Sequence, residues 1–156
     1  EELTTQLFQY RFGEEVGLNG HSLGNLLITA LTELTGSFEE AVAESGRVLA
    51  VQGKVFPSTL HDVRLVAQVQ MQDSNKEIKI RGESEIPRKG GKIKRVWLEP
   101  NNPPAFPPVI QSILQADMIV IGPGSLYTSI LPNLLVPDIT SAVRASRALK
   151  AAVEKS

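Results

Sequence analysis

Apolar positions recur at two different periods along this chain, and the change falls near Lys54. Before it the spacing is helical. Leu3, Leu7, Phe8 and Tyr10 mark one face of a first helix that Gly13 ends. After the loop Gly17–Gly20, His21-Ser22-Leu23-Gly24-Asn25 leads into a largely apolar helix, Leu26–Leu34, closed by Gly36. Ser37 and Glu40 have the spacing of a capping box, in which each satisfies the other's free amide. The helix they open turns Phe38, Ala41, Val42, Val48 and Leu49 inward, and Gly46 weakens its second half. Beyond Lys54 the period drops to two. Val63, Leu65, Ala67, Val69 and Met71 alternate with Arg64, Gln68 and Gln70, interrupted only by Val66, as in a half-buried strand. Asp73–Lys76 is turn chemistry, and Ile78 and Ile80 alternate with Lys79 and Arg81 in a second strand. Pro87–Gly91 connects to a third, Lys92–Leu98, which carries the single tryptophan, Trp97, expected in packing. Residues 62–99 therefore read as an antiparallel insertion.

The prolines between Asn101 and Pro108 are too dense for helix or ladder and form a rigid connector. Val109, Ile110, Ile113 and Leu114 share a helical face. Met118–Ile121 is a short, continuously apolar run, expected as a strand covered on both faces of a parallel sheet. Gly122-Pro123-Gly124-Ser125 then turns into a helix that Pro132-Asn133 ends or kinks. Asp138 has the place of the N-cap of Ile139–Arg147, and 149–156 is left open. This order predicts a single α/β domain over 1–156, a three-layer Rossmann-like fold with a mostly parallel sheet and the small antiparallel insertion. In such sheets ligands lie beyond the carboxyl ends of strands, which is where the glycine turn falls.

Composition narrows the function classes. Of 156 residues, 42% are hydrophobic and 21% charged, an ordinary globular balance. A net charge of -1 gives no electrostatic case for nucleic acid or an acidic membrane, and Arg88, Lys89, Lys92, Lys94 and Arg95 read as a solvated hairpin surface. No cysteine is present, which removes thiol nucleophiles and cysteine-ligated metals. No apolar run has transmembrane length, and a cytoplasmic location is the expectation. The chain opens at Glu1 inside a helical pattern, so a piece of a longer protein is expected.

Two stretches could carry chemistry. Gly122 and Gly124 let a ligand approach the backbone, and Ser125 could cap the helix whose free amides and dipole favour an anion such as phosphate. A purely structural turn explains the same glycines. Neither a Walker loop, a dinucleotide fingerprint nor a nucleophile elbow is spelled here. The hydroxyls of Ser125, Tyr127, Thr128 and Ser129 favour a ligand, since a buried helix would waste them otherwise. In the other stretch, Ser22 or Asn25 serves as a cap, and His21 has no second metal-ligating partner nearby, so no metal site is expected. His61-Asp62 points to opposite faces of a strand entry.

Gly122-Pro-Gly-Ser-Leu-Tyr-Thr-Ser-Ile with Pro132-Asn133-Leu-Leu-Val resembles the gluconeogenesis factor family, YvcK-like proteins of the CofD-like superfamily. Gly20-His-Ser-Leu-Gly-Asn-Leu-Leu, Arg47–Pro57 and Ile93–Pro100 resemble it in the same order. The resemblance implies a Rossmann-like cleft that binds a nucleotide sugar such as a UDP-sugar, in proteins linked to cell shape and gluconeogenic growth. Carried residue by residue, it implies ligand contacts at His21, Ser22, Gly24, Asn25, Gly122, Pro123, Gly124, Ser125, Tyr127, Thr128, Ser129 and Asn133. No catalytic residue, metal or cofactor beyond that nucleotide ligand is implied, and a homodimer stays open. The superfamily's enzyme branch, 2-phospho-L-lactate transferase, has a turn resembling Gly-Pro-Ser-Asn-Pro-Ile-Thr-Ser-Ile. Here only Gly122, Pro123, Thr128, Ser129 and Ile130 match it, so the chain sides with the gluconeogenesis factors, with phospholactyl transfer as the alternative. Family members also carry a glycine-rich first loop, an Asp-Asp-Gly-Gly-Ser segment and a later Gln-Pro-Gly-Glu-Thr loop. None is spelled here, so part of the cleft is expected.

Overall fold

A computed structural model describes residues 6–7, 10, 12, 22–48, 53–71 and 76–153. Most of the expected first helix, the loop before Ser22, His21, Leu49 and most of the Asp73–Lys76 turn lie outside the described residues. The chain divides into two units, residues 1–57 and 58–156.

The first unit holds two helices packed on one another, α1 (Leu23–Thr35) and α2 (Phe38–Val48). Ser22 is the N-cap of α1, its Oγ accepting from the Asn25 amide at 3.2 Å. The helix ends at Gly36, whose φ of 71° supplies the left-handed residue of a C-terminal cap. Thr29, Thr32 and Thr35 each donate a hydroxyl to the carbonyl four residues back, which satisfies polar side chains on an otherwise apolar helix. Only half of the expected capping box forms. Ser37 Oγ accepts from Glu40 N at 3.3 Å, but Ser37's own amide donates to Thr35 Oγ1 and not to the Glu40 carboxylate. The buried stripe of α2 is Ala41, Val42 and Ser45; Phe38 and Val48, expected inside, are exposed.

The second unit begins with a three-stranded antiparallel sheet, in the order β2 (Glu77–Arg81), β1 (Arg64–Gln70), β3 (Lys92–Glu99). Leu65, Ala67 and Val69 of β1 face a core shared with Ile80, Leu98 and Ile86. Ile86 comes from a short helix, α3 (Glu85–Lys89). Ile93, Val96 and Leu98 of β3 all pack on this core despite uneven spacing. A register shift absorbs the unevenness: Gln68 faces Arg95 and Val69 faces Ile93, leaving Lys94 without an opposite residue. Val66, the break in the alternation, points to the other face and is fully buried. Its register partners there are Arg81 and Trp97. Trp97 stands on this polar face beside Val66, with Lys79 Nζ 5.3 Å and the Arg95 guanidinium 5.8 Å from its ring.

Helix α4 (Pro107–Gln115) starts within the proline connector, because proline fits the first helical positions where no amide partner exists. Strand β4 (Met118–Ile121) follows, then a π-helical turn (Leu126–Ile130), α5 (Leu131–Leu134), α6 (Pro137–Ala145) and β5 (Leu149–Ala152). Strands β4 and β5 pair in parallel, Met118 opposite Leu149 and Ile121 opposite Ala152. Val136 and Ile139 carry the start of α6 into the core of the antiparallel sheet. Asp138 is not the N-cap of that helix: Val136 holds that place, with Pro137 at the start.

The fold is mixed α/β, but the mostly parallel sheet expected of it is not what the described residues form. Three of their five strands are antiparallel, and the parallel part is a pair. Strand β4 is correspondingly open, not covered on both faces: Met118 and Val120 are 53% and 52% exposed. Continuous apolarity marks a strand that seeks cover on both faces. Two strands and their helices shield only the side of Ile119 and Ile121.

Candidate functional site: the glycine turn after strand β4

The turn lies at the carboxyl end of the parallel pair. Gly122 has φ +97°, and a Cβ there would stand 2.5 Å from the Val153 carbonyl oxygen, at the end of β5. Glycine is therefore required by the chain's own packing. Gly124 is tight as well, its would-be Cβ 3.0 Å from Ser129 Cβ. Pro123 follows a cis peptide bond from Gly122.

The helical segment after the turn is wound wider than an α-helix. The amides of Ser129 and Ile130 both donate to the Ser125 carbonyl, at 2.9 and 3.0 Å, and Leu131 N donates to Leu126 O. Pro132 has no amide to offer the turn below it, and the chain passes this point with the π turn immediately ahead. The amides of Leu126, Tyr127 and Thr128 precede the first helical hydrogen bond and are free of helical partners. Ser125 occupies the N-cap position by its backbone, but its hydroxyl makes no capping bond. The side chains of Ser125, Tyr127, Thr128 and Ser129 have no hydrogen-bond partner among the described residues. Ser125, Tyr127 and Ser129 are exposed, and Thr128 is half-buried. The segment is thus not the buried helix expected, and its hydroxyls stand open to solvent in this chain.

Asn133 follows one turn on. Its Nδ2 donates to the Ser129 carbonyl at 2.8 Å, and its Oδ1 accepts from Ser58 Oγ at 2.5 Å. Sequence reasoning passed over Ser58, since nothing local marks a residue that acts 75 positions away.

The other candidate residues belong to the first unit. Ser22 spends its oxygen as the α1 cap, Gly24 is buried in the first turn, and Asn25 is exposed, with no partner for its side-chain amide among the described residues. The structure thus brings together Gly122–Ser129 with Asn133 in one unit, and Ser22, Gly24 and Asn25 in the other. Among the described residues, no group of three or more His, Asp or Glu side chains could hold a metal ion, and no helix is long and apolar enough to cross a membrane.

Fold and turn define a mixed α/β protein with a parallel strand–turn–helix unit. The family described as 2-phospho-L-lactate transferase CofD matches residues 1–155, and the chain belongs to that CofD family. Within it, the chain sides with the gluconeogenesis factors, as its turn motif implied. It is 50% identical over 139 residues to the gluconeogenesis factor of Bacillus subtilis, covering 89% of this chain and 42% of that protein. It is 48% identical over 150 residues to that of Halalkalibacterium halodurans, covering 96% of this chain and 45% of the relative. A crystal structure of a UPF0052 family protein from Bacillus halodurans superposes with a TM-score of 0.75 at 47% identity, over 97% of this chain and 47% of the other. The chain thus spans less than half the length of these proteins.

Proposed function

We propose that the protein containing this chain is a nucleotide-sugar-binding regulator of the gluconeogenesis factor type, acting in the cytoplasm on carbon metabolism and cell shape. In this reading both units belong to one nucleotide-binding domain, and β4–β5 is part of a larger parallel sheet completed by the rest of the longer protein. The ligand is a UDP-sugar. Its diphosphate lies over the free amides of Leu126–Thr128 and is contacted by Ser125, Thr128 and Ser129.

The observation that carries this reading is the π-helical turn at the carboxyl end of β4. Wide turns of this kind are frequent at functional sites, and the carboxyl end of a parallel strand is where α/β sheets take ligands. Family membership supports it independently. The test is calorimetry of UDP-glucose on the full-length protein, with Thr128→Val plus Ser129→Ala as the variant. Loss of the two hydroxyls lowers affinity at least tenfold, about 1.4 kcal/mol. Unchanged affinity would remove the diphosphate from this turn.

The family description favours a second reading, phospholactyl transfer. Turnover of a deazaflavin acceptor by the full-length protein distinguishes it from binding alone.

A further inference from the structure

We infer that Ser58 is a positioning residue for the glycine-turn site and acts through Asn133. The family resemblance implied a ligand contact at Asn133, and the structure uses both ends of its side-chain amide within the second unit. Nδ2 donates to the Ser129 carbonyl, so Oδ1 is the end that meets Ser58 Oγ, and the serine hydroxyl donates. Ser58 is anchored in turn, its carbonyl accepting from Phe106 N at 2.9 Å, the residue that opens α4. The next amide back, Ala105 N, donates to Asp138 Oδ2 at 3.1 Å.

A continuous set of bonds therefore runs from the start of α4 through Ser58 and Asn133 to the Ser129 carbonyl. Ser129 also donates its own amide to Ser125 O within the π turn. An exposed asparagine held at one end only is free to rotate about its terminal torsion, which is broad. The Ser58 hydroxyl removes that freedom and keeps Nδ2 on Ser129 O. Its effect is to hold the wide turn open, and with it the placement of the Ser125, Thr128 and Ser129 hydroxyls. The functional meaning of this relay rests on the nucleotide-sugar reading; the relay itself does not.

The test pairs two isosteric substitutions in the full-length protein, Ser58→Thr, which keeps the hydroxyl, and Ser58→Val, which removes it. Amide exchange by NMR is read at Ser129 and Ile130. Ser58→Val accelerates both roughly fivefold, the size of one neutral hydrogen bond, and leaves Val66 and Val69 in the antiparallel sheet unchanged. Ser58→Thr keeps wild-type rates. In an Asn133→Ala background, Ser58→Val adds no further acceleration. Equal rates for Thr and Val, acceleration spread evenly into the sheet, or a full Ser58→Val effect without Asn133 each overturns the relay. UDP-glucose affinity is measured on the same proteins. Wild-type protein that fails to bind defeats the nucleotide-sugar reading while the exchange data still decide the role of Ser58.

Discussion

Asp138 accepts the backbone amide of Ala105 at 3.1 Å, joining the first turn of α6 to the proline connector 33 residues earlier. The same carboxylate lies in the first turn of α6, where the helix dipole favours negative charge. Asp138→Ala loses both effects. The site is exposed, so the expected cost is modest, about 1–2 kcal/mol by urea titration. Asp138→Asn keeps an acceptor and loses about half of that. A cost below about 0.5 kcal/mol for Asp138→Ala would mean that the prolines alone hold the connector in place.

Most elements were legible because their patterns are locally stated. Val63–Met71 spells its strand by alternation, and Gly36 spells a helix end through the one backbone conformation it favours. Three features were not. Val66 breaks the alternation because both faces of the sheet are covered at that point, the second by Trp97. Strand β5, Leu149-Lys150-Ala151-Ala152, has neither alternation nor an apolar run, and exists through pairing with β4. Asp138 has cap chemistry, but Pro137 fits the first helical position so well that the cap falls two residues earlier, on Val136. At the candidate site, the glycine turn was legible as a motif. The Ser58–Asn133 bond was not, because it joins residues far apart in sequence with no periodic signature.

Glu99 gathers three donors on the polar face of the sheet: Lys79 at 2.5 Å, Arg81 at 3.0 Å and Trp97 Nε1 at 3.2 Å. Hydrogen bonds from Lys79, then Arg81 and Trp97, hold its carboxyl down from 4.5 to about 2. A carboxylate whose pKa is lower in the folded state stabilises the fold fully above its unfolded value, and that contribution fades as pH falls through the folded one. Wild type and Glu99→Gln should therefore differ in melting temperature at pH 6, and the gap should close between pH 4.5 and pH 2. A gap independent of pH over that window would show that charge at Glu99 plays no part.

Ile86 is the buried side chain of α3, only 2% exposed and packed against the antiparallel sheet. A helix of five residues has too little backbone bonding to stand alone, so its place depends on this anchor. Ile86→Ala should cost about 2–4 kcal/mol by denaturant unfolding followed at Trp97. Ile86→Val should cost about 1 kcal/mol. Near-equal costs would mean that α3 collapses into the space and the cavity closes.

Gly122 and Gly90 test what the glycine turn demands, because both lie in the second unit and both have positive φ, +97° and +63°. A Cβ at Gly90 meets nothing within 4 Å, so Gly90→Ala carries backbone strain alone, about 1–3 kcal/mol at its ψ of -174°. At Gly122 the same methyl would press on the Val153 carbonyl, a backbone atom that moves only if β5 moves. Gly122→Ala should therefore cost more than Gly90→Ala, by about 1 kcal/mol or more, and loosen the β4–β5 pair, seen as faster exchange of the Val153 amide, which donates to Ile121 O. Equal costs at the two glycines would mean that the Val153 contact yields freely. The glycine would then be free to serve close approach of a ligand, as the motif alone first implied. Unequal costs assign Gly122 to the joint between the strands and leave ligand contact to Gly124 and the hydroxyls after it.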